Sequence, residues 1–96
     1  MPIHVFVRFD SKAGRVEELR RELLSILDAS RAEPGCVDIH LYEGKNAPGT
    51  FFIHSRWKDN AAIDTHLQLP HMKRFQALLD DLVVNTVKAV RTQQIK

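Results

Sequence analysis

Two runs and the turn between them decide the fold: Val37-Asp38-Ile39-His40-Leu41-Tyr42-Glu43, then Gly44-Lys45-Asn46-Ala47-Pro48-Gly49, then Phe51-Phe52-Ile53-His54-Ser55-Arg56-Trp57. Val37, Ile39 and Leu41 alternate with Asp38, His40 and Tyr42, a period of two that belongs to a strand with unlike faces. Glycine, asparagine and proline in the middle segment are turn formers, so the third segment returns as an antiparallel partner. Setting Glu43 opposite Phe51 places Tyr42 against Phe52, His40 against His54, and Asp38 against Arg56 as an opposite-charge pair. The other face then aligns Leu41 with Ile53, Ile39 with Ser55, and Val37 with Trp57. A shift by one residue would turn every side chain to the wrong face.

Working outward, Ile3 to Phe9 is apolar at every odd position and reads as another strand. Asp10 and Ser11 are helix-capping types, and Gly14 eases the entry to a helix. That helix carries Val16, Leu19, Leu23, Ile26 or Leu27, and Ser30 at helical spacing, and Pro34-Gly35 ends it. Downstream, Asp59 is placed to cap a short helix over Asn60 to Leu67. Pro70 interrupts it and serves as the first residue of the next, which presents Phe75, Leu78, Leu79 and Leu82. Val84 to Ile95, rich in valine and threonine, reads as a final strand. The order β-α-β-β-α-β predicts a ferredoxin-like α+β sandwich, one domain over residues 1–96.

Composition narrows the function classes. Fourteen basic against twelve acidic residues leave a net charge of +2 on 96 residues, and 44% apolar content suits one globular domain. The basic residues are interleaved with acids rather than gathered into a patch for nucleic acid. The longest apolar runs, Val5-Phe6-Val7 and Phe51-Phe52-Ile53, are far too short to span a membrane. Met1-Pro2-Ile3-His4 lacks a basic stretch followed by an apolar one, so no secretory leader is expected. Cys36 is the only cysteine, which excludes an internal disulfide or a multi-cysteine metal centre and favours the cytoplasm.

The sheet faces differ in character. Val5, Val7, Phe9, Val37, Ile39, Leu41, Phe51, Ile53 and Trp57 form the face for the helices to cover. His4, Phe6, Arg8, His40, Tyr42, Phe52, His54 and Arg56 form the reverse, too aromatic for a plain solvated surface. A chain this short often hides such a face against a copy of itself.

Several segments together resemble the antibiotic biosynthesis monooxygenase family, and within it the small bacterial quinol monooxygenases. They are Ser30-Arg31-Ala32-Glu33-Pro34-Gly35-Cys36, Pro48-Gly49-Thr50-Phe51, Arg56-Trp57, and Ala62 followed by His66-Leu67-Gln68-Leu69-Pro70-His71-Met72-Lys73. The resemblance implies a homodimer, a dimeric α/β barrel in which two sheets pack reverse face to reverse face. It also implies a pocket in each subunit near Trp57 and His66. Enzymes of the family oxygenate phenols, quinols or anthrones with O2, often without metal, flavin or nicotinamide. Other members degrade haem or isomerise small sugar-like phosphates. Ser55 departs from the Glu-Arg-Trp run of many members, so a carboxylate base is missing there. The haem-degrading pattern needs an asparagine where this chain has Val7 and a histidine that the Phe75–Leu82 helix lacks.

The function expected is cofactor-independent monooxygenation of a quinol or related phenolic, polyketide-like aromatic. Such chemistry needs a dry pocket, a base and a donor for the developing oxyanion. His66 is the candidate base, Trp57 the stacking wall, and Ser55 or His71 a hydrogen-bonding helper; Val7 and Ile39 complete the substrate wall. Each also has a structural reading: His66 as a packing or capping ring, Trp57 as a core anchor. No metal is expected. His66 and His71 are five apart, off the i, i+4 spacing, and His4, His40 and His54 fit an interface better than a cation site. Arg31 is read as binding the last helix carbonyls or pairing with Glu33, and Cys36 as a small buried hydrophobe. The alternatives are a non-catalytic small-ligand-binding or isomerase member of the same fold. An RNA-recognition module shares the element order and aromatic strands, but lacks the basic-glycine-aromatic signature on the third strand.

Overall fold

In the computed structural model, which describes residues 1–96, the hairpin forms from β2 (Cys36–Gly44) and β3 (Ala47–Trp57). Tyr42 faces Phe52, His40 faces His54, Asp38 faces Arg56, Leu41 faces Ile53 and Ile39 faces Ser55, as the alternation requires. One pair differs. The register shifts between Cys36 and Asp38, so Trp57 meets Cys36 rather than Val37, and Val37 is left 48% exposed. A bulge of this kind inserts one unpaired residue and re-aims the side chains before it.

The remaining elements are β1 (Ile3–Asp10), α1 (Val16–Arg31), α2 (Asn60–Gln68), α3 (Pro70–Leu82) and β4 (Ala89–Thr92). The sheet order is β2-β3-β1-β4 with every neighbouring pair antiparallel. β1 and β2 therefore run the same way with β3 between them, and α1 is the crossover, a split βαβ unit. This is the ferredoxin-like α+β sandwich. Leu19, Leu23, Ile26 and Leu27 of α1 and Met72, Phe75 and Leu82 of α3 cover Phe9, Ile39, Phe51 and Ile53. Leu19 and Leu23 are fully buried, each contributing about 2 kcal/mol of hydrophobic stabilisation. At the other end Val5, Trp57 and Ile63 make a smaller cluster beneath α2. No helix is long and apolar enough to cross a membrane.

Two expectations are corrected. Asp10 and Ser11 do not cap α1: β1 runs through Asp10, Ser11 bridges to Val83, and α1 begins at Val16 with no side-chain cap. Glu17 and Glu18 in its first turn offset the helix dipole instead. The last strand is four residues, not the whole of Val84 to Ile95. The Asn85 side chain explains the gap: its amide oxygen accepts from the Asp10 N–H at 2.9 Å and its amide nitrogen donates to the Arg8 carbonyl at 3.1 Å. Asn85 thus satisfies two backbone groups of β1 that a longer β4 would have paired. Asp59 does cap α2, accepting from the Ala62 N–H at 2.8 Å, and Pro70 does open α3.

Candidate active site

The chain between α1 and β2 sets the site. Pro34-Gly35 turns it sharply, and Gly35 lies so close to α2 that a Cβ there would sit 2.4 Å from the Ala62 Cβ. That contact presses the turn against α2 and puts Glu33 beneath His66. Glu33 Oε2 lies 2.7 Å from His66 Nδ1 and 3.2 Å from His71 Nε2. A carboxylate oxygen only accepts, so both rings donate to it, and His66 carries its proton on Nδ1. His66 Nε2, the other nitrogen, has no protein partner. The His66 ring packs over Trp57 with centroids 4.4 Å apart, and the Trp57 indole N–H donates to Ser55 Oγ at 2.9 Å. Ser55 therefore holds the indole in its plane.

Between sheet and helices lies a cavity of about 350 Å³. Val5, Val7, Ile39, Ile53, Met72 and Phe75 give it apolar walls, and Trp57, Ser55 and His66 line it beside them. Its polar groups are few: His66, Ser55, Ser30, Gln76 and Arg91. A concave, mostly apolar space with a few convergent polar groups is the form of a small-molecule site. Arg91 of β4 reaches across to α2, donating to Asn60 Oδ1 at 3.1 Å and Asp64 Oδ1 at 2.7 Å, and so ties the sheet edge to that helix.

Of the residues singled out by sequence, His66, Trp57, Ser55, Val7 and Ile39 all line this cavity. His71 does not; it stands behind Glu33, its ring centroid 6.1 Å from that of His66. Pro70 starts a new helix, so the two rings sit on α2 and α3 rather than along one helix, and both turn to the same carboxylate oxygen. Two residues escaped the sequence reading. Glu33 enters the sequence reading only as a possible partner of Arg31 and within the family-like segment, with no role at the site. Ser30, fully buried on α1, has an Oγ with no hydrogen-bond partner and lies in the cavity wall. Arg31 neither caps α1 nor pairs with Glu33, since it donates to the Ile39 carbonyl at 2.9 Å. Cys36 is half-buried, and burial, followed by Glu33 and Asp38, pushes its thiol pKa up, which disfavours the nucleophilic thiolate.

Residues 2–78 match the family model described as antibiotic biosynthesis monooxygenase. The chain belongs to this family. Among its relatives is the Bacillus subtilis protein named "Putative monooxygenase YcnE", 33% identical over 82 residues, covering 85% of this chain and 86% of that one. The uncharacterised Synechocystis protein sll1783 is 30% identical over 82 residues, and this chain spans only 56% of its length. The solved structure of Rv0793 from Mycobacterium tuberculosis superposes with a TM-score of 0.93 at 26% identity, covering 100% of this chain and 97% of that one.

In this family member the reverse sheet face is open. Phe6, Tyr42 and Val90 are each about half exposed or more, and they line a shallow concavity with Arg8 and Phe52. His4 Nδ1 and His54 Nε2 are 2.8 Å apart, and the His54 ring stacks on Phe6 with centroids 4.6 Å apart. Partial burial, then His4, lowers the His54 pKa, against an opposing pull from Asp38. The Asp38 carboxylate, bidentate with Arg56, is itself held below the usual range by that guanidinium.

Proposed function

We propose that the chain is a monooxygenase that inserts one atom of O2 into a quinol or related phenolic aromatic without a bound cofactor. The observation that carries this is His66: one nitrogen is fixed by Glu33, the other is unpartnered, and the ring borders an apolar cavity beside Trp57. An orienting carboxylate that sets the tautomer leaves the free nitrogen as an acceptor, the arrangement a general base needs. In this reading the planar substrate lies against Trp57, and Nε2 takes a phenolic proton. The electron-rich anion passes one electron to O2, and the superoxide and the ring radical combine to form a C–O bond. The ring C–H proton then leaves as the O–O bond breaks. One oxygen stays on the ring as a hydroxyquinone and the other departs as water, so quinol plus O2 balances hydroxyquinone plus water. Water exclusion by the apolar walls protects the anion and radical pair.

The reading includes a homodimer joined through the open sheet face, supported by its exposed aromatics, and a cytoplasmic location, supported by the lone half-buried cysteine. Oxygen uptake with a panel of reduced quinols tests the activity. His66→Ala is expected to lower kcat by about 100-fold or more. Glu33→Gln is expected to lower kcat more than it changes KM. Wild-type uptake that His66→Ala leaves intact would remove His66 from the chemistry. No uptake with any quinol would favour a ligand-binding or isomerase member, in line with Ser55 offering the site a hydroxyl and no carboxylate base.

A further inference from the structure

The geometry points to a divalent-cation site formed by Glu33, His66 and His71, selective for first-row transition ions such as Zn2+. The three donor atoms, Glu33 Oε2, His66 Nδ1 and His71 Nε2, lie within 4.8 Å of one another. Bonds of about 2.0–2.2 Å in tetrahedral or octahedral geometry set neighbouring ligand atoms about 3.0–3.4 Å apart. Of the two separations from Oε2, 3.2 Å falls within that range and 2.7 Å lies just below it, so side-chain movements that part Glu33 and His66 would admit an ion in place of the two shared protons. The donors come from three separate segments: the turn after α1, α2 and α3. Trp57 packs against one ring, and the Glu33 and His66 side chains are about nine-tenths buried. His71, 27% exposed, gives the ion its entry.

Two imidazoles and one carboxylate form a mixed nitrogen–oxygen set, which suits Zn2+, Co2+ or Ni2+ and not Ca2+ or Mg2+, whose ligands are oxygens. Coordination has a consequence for the cavity. An ion on Nδ1 moves the single proton of the neutral ring to Nε2, removing the lone pair assigned to the base. Occupancy therefore switches the site off. This consequence rests on the oxygenase reading; the ion site rests on geometry alone.

The test titrates Zn2+ into metal-stripped protein against a chromophoric chelator and follows Co2+ by its visible absorption. One ion per chain is expected. Glu33→Gln and His71→Ala should each weaken binding at least about 10-fold, while His54→Gln should not. No stoichiometric binding by the wild type, or binding that both ligand variants retain in full, overturns the site. In a second arm, wild-type oxygen uptake should be lost at one Zn2+ per chain and restored by chelator. Uptake that persists with Zn2+ bound overturns the switch. Absent uptake in metal-free protein strikes the oxygenase reading and leaves the ion measurement to decide the site.

Discussion

Ser30 is a hydroxyl placed where folding gains nothing from it. It is fully buried on α1, faces the cavity, and its Oγ has no partner. Leaving a polar group unpaired in this way costs about 1–3 kcal/mol. The arrangement makes sense if an occupant of the cavity supplies the missing bond. Ser30→Ala should therefore raise stability by about 1 kcal/mol in urea unfolding while raising KM several-fold for a hydroxylated aromatic. A clear loss of stability would mean that Ser30 has a partner in the folded protein and is structural. At this scale the sequence was only partly legible. His66 and Trp57 announce their chemistry by residue type. Glu33 and Ser30 are ordinary polar residues near a helix end, and their roles come from what the fold places opposite them: two imidazoles across 33 and 38 residues of chain, and an apolar cavity.

Elements bring those residues together through breaks in regular structure. Pro70 divides α2 from α3 and swings His71 back toward Glu33, a placement no single helical period describes. The period-two alternation gave the β2–β3 register through Ile39–Ser55, but it carries no signal for the one extra residue that frees Val37 where the Pro34-Gly35 turn enters β2. Gly35 is the contact point. Gly35→Ala would drive a methyl group into Ala62 Cβ, and overpacking against a helix backbone costs about 1–3 kcal/mol. The displaced turn would also pull Glu33 from His66. Thermal unfolding should show the loss, and Ala62→Gly in the same chain should restore part of it despite its own helix penalty of about 1 kcal/mol. Strictly additive single and double variants would show that the Gly35–Ala62 contact is not what fixes the turn.

At the scale of the whole molecule, the open sheet face carries a pH dependence if it is the dimer surface proposed above. Its centre is a stack of Phe6, His54 and His4, with His40 across the strand pair and Asp38, Arg56 and Arg8 around it. The sign follows from His54. Its pKa is lowered in the folded chain by partial burial and then by His4, with His40 and Arg56 adding to the effect and Asp38 opposing it. Above the unfolded value of about 6.5 the ring is neutral in both states and no penalty exists. As pH falls through that value toward the lower folded one, the unfolded or separated chain takes up the proton more readily, and folding and association both weaken. Two imidazolium rings also cannot share the 2.8 Å contact between His4 and His54. Burying the face against a second copy removes more water from His54 and deepens the effect. Sedimentation velocity should show a dimer at pH 8 that dissociates toward pH 5, and His54→Gln should flatten that dependence. An unchanged dimer at both pH values would show that these histidines stay solvated in the assembly. A monomer at pH 8 would leave the aromatic face to another partner and remove the interface itself.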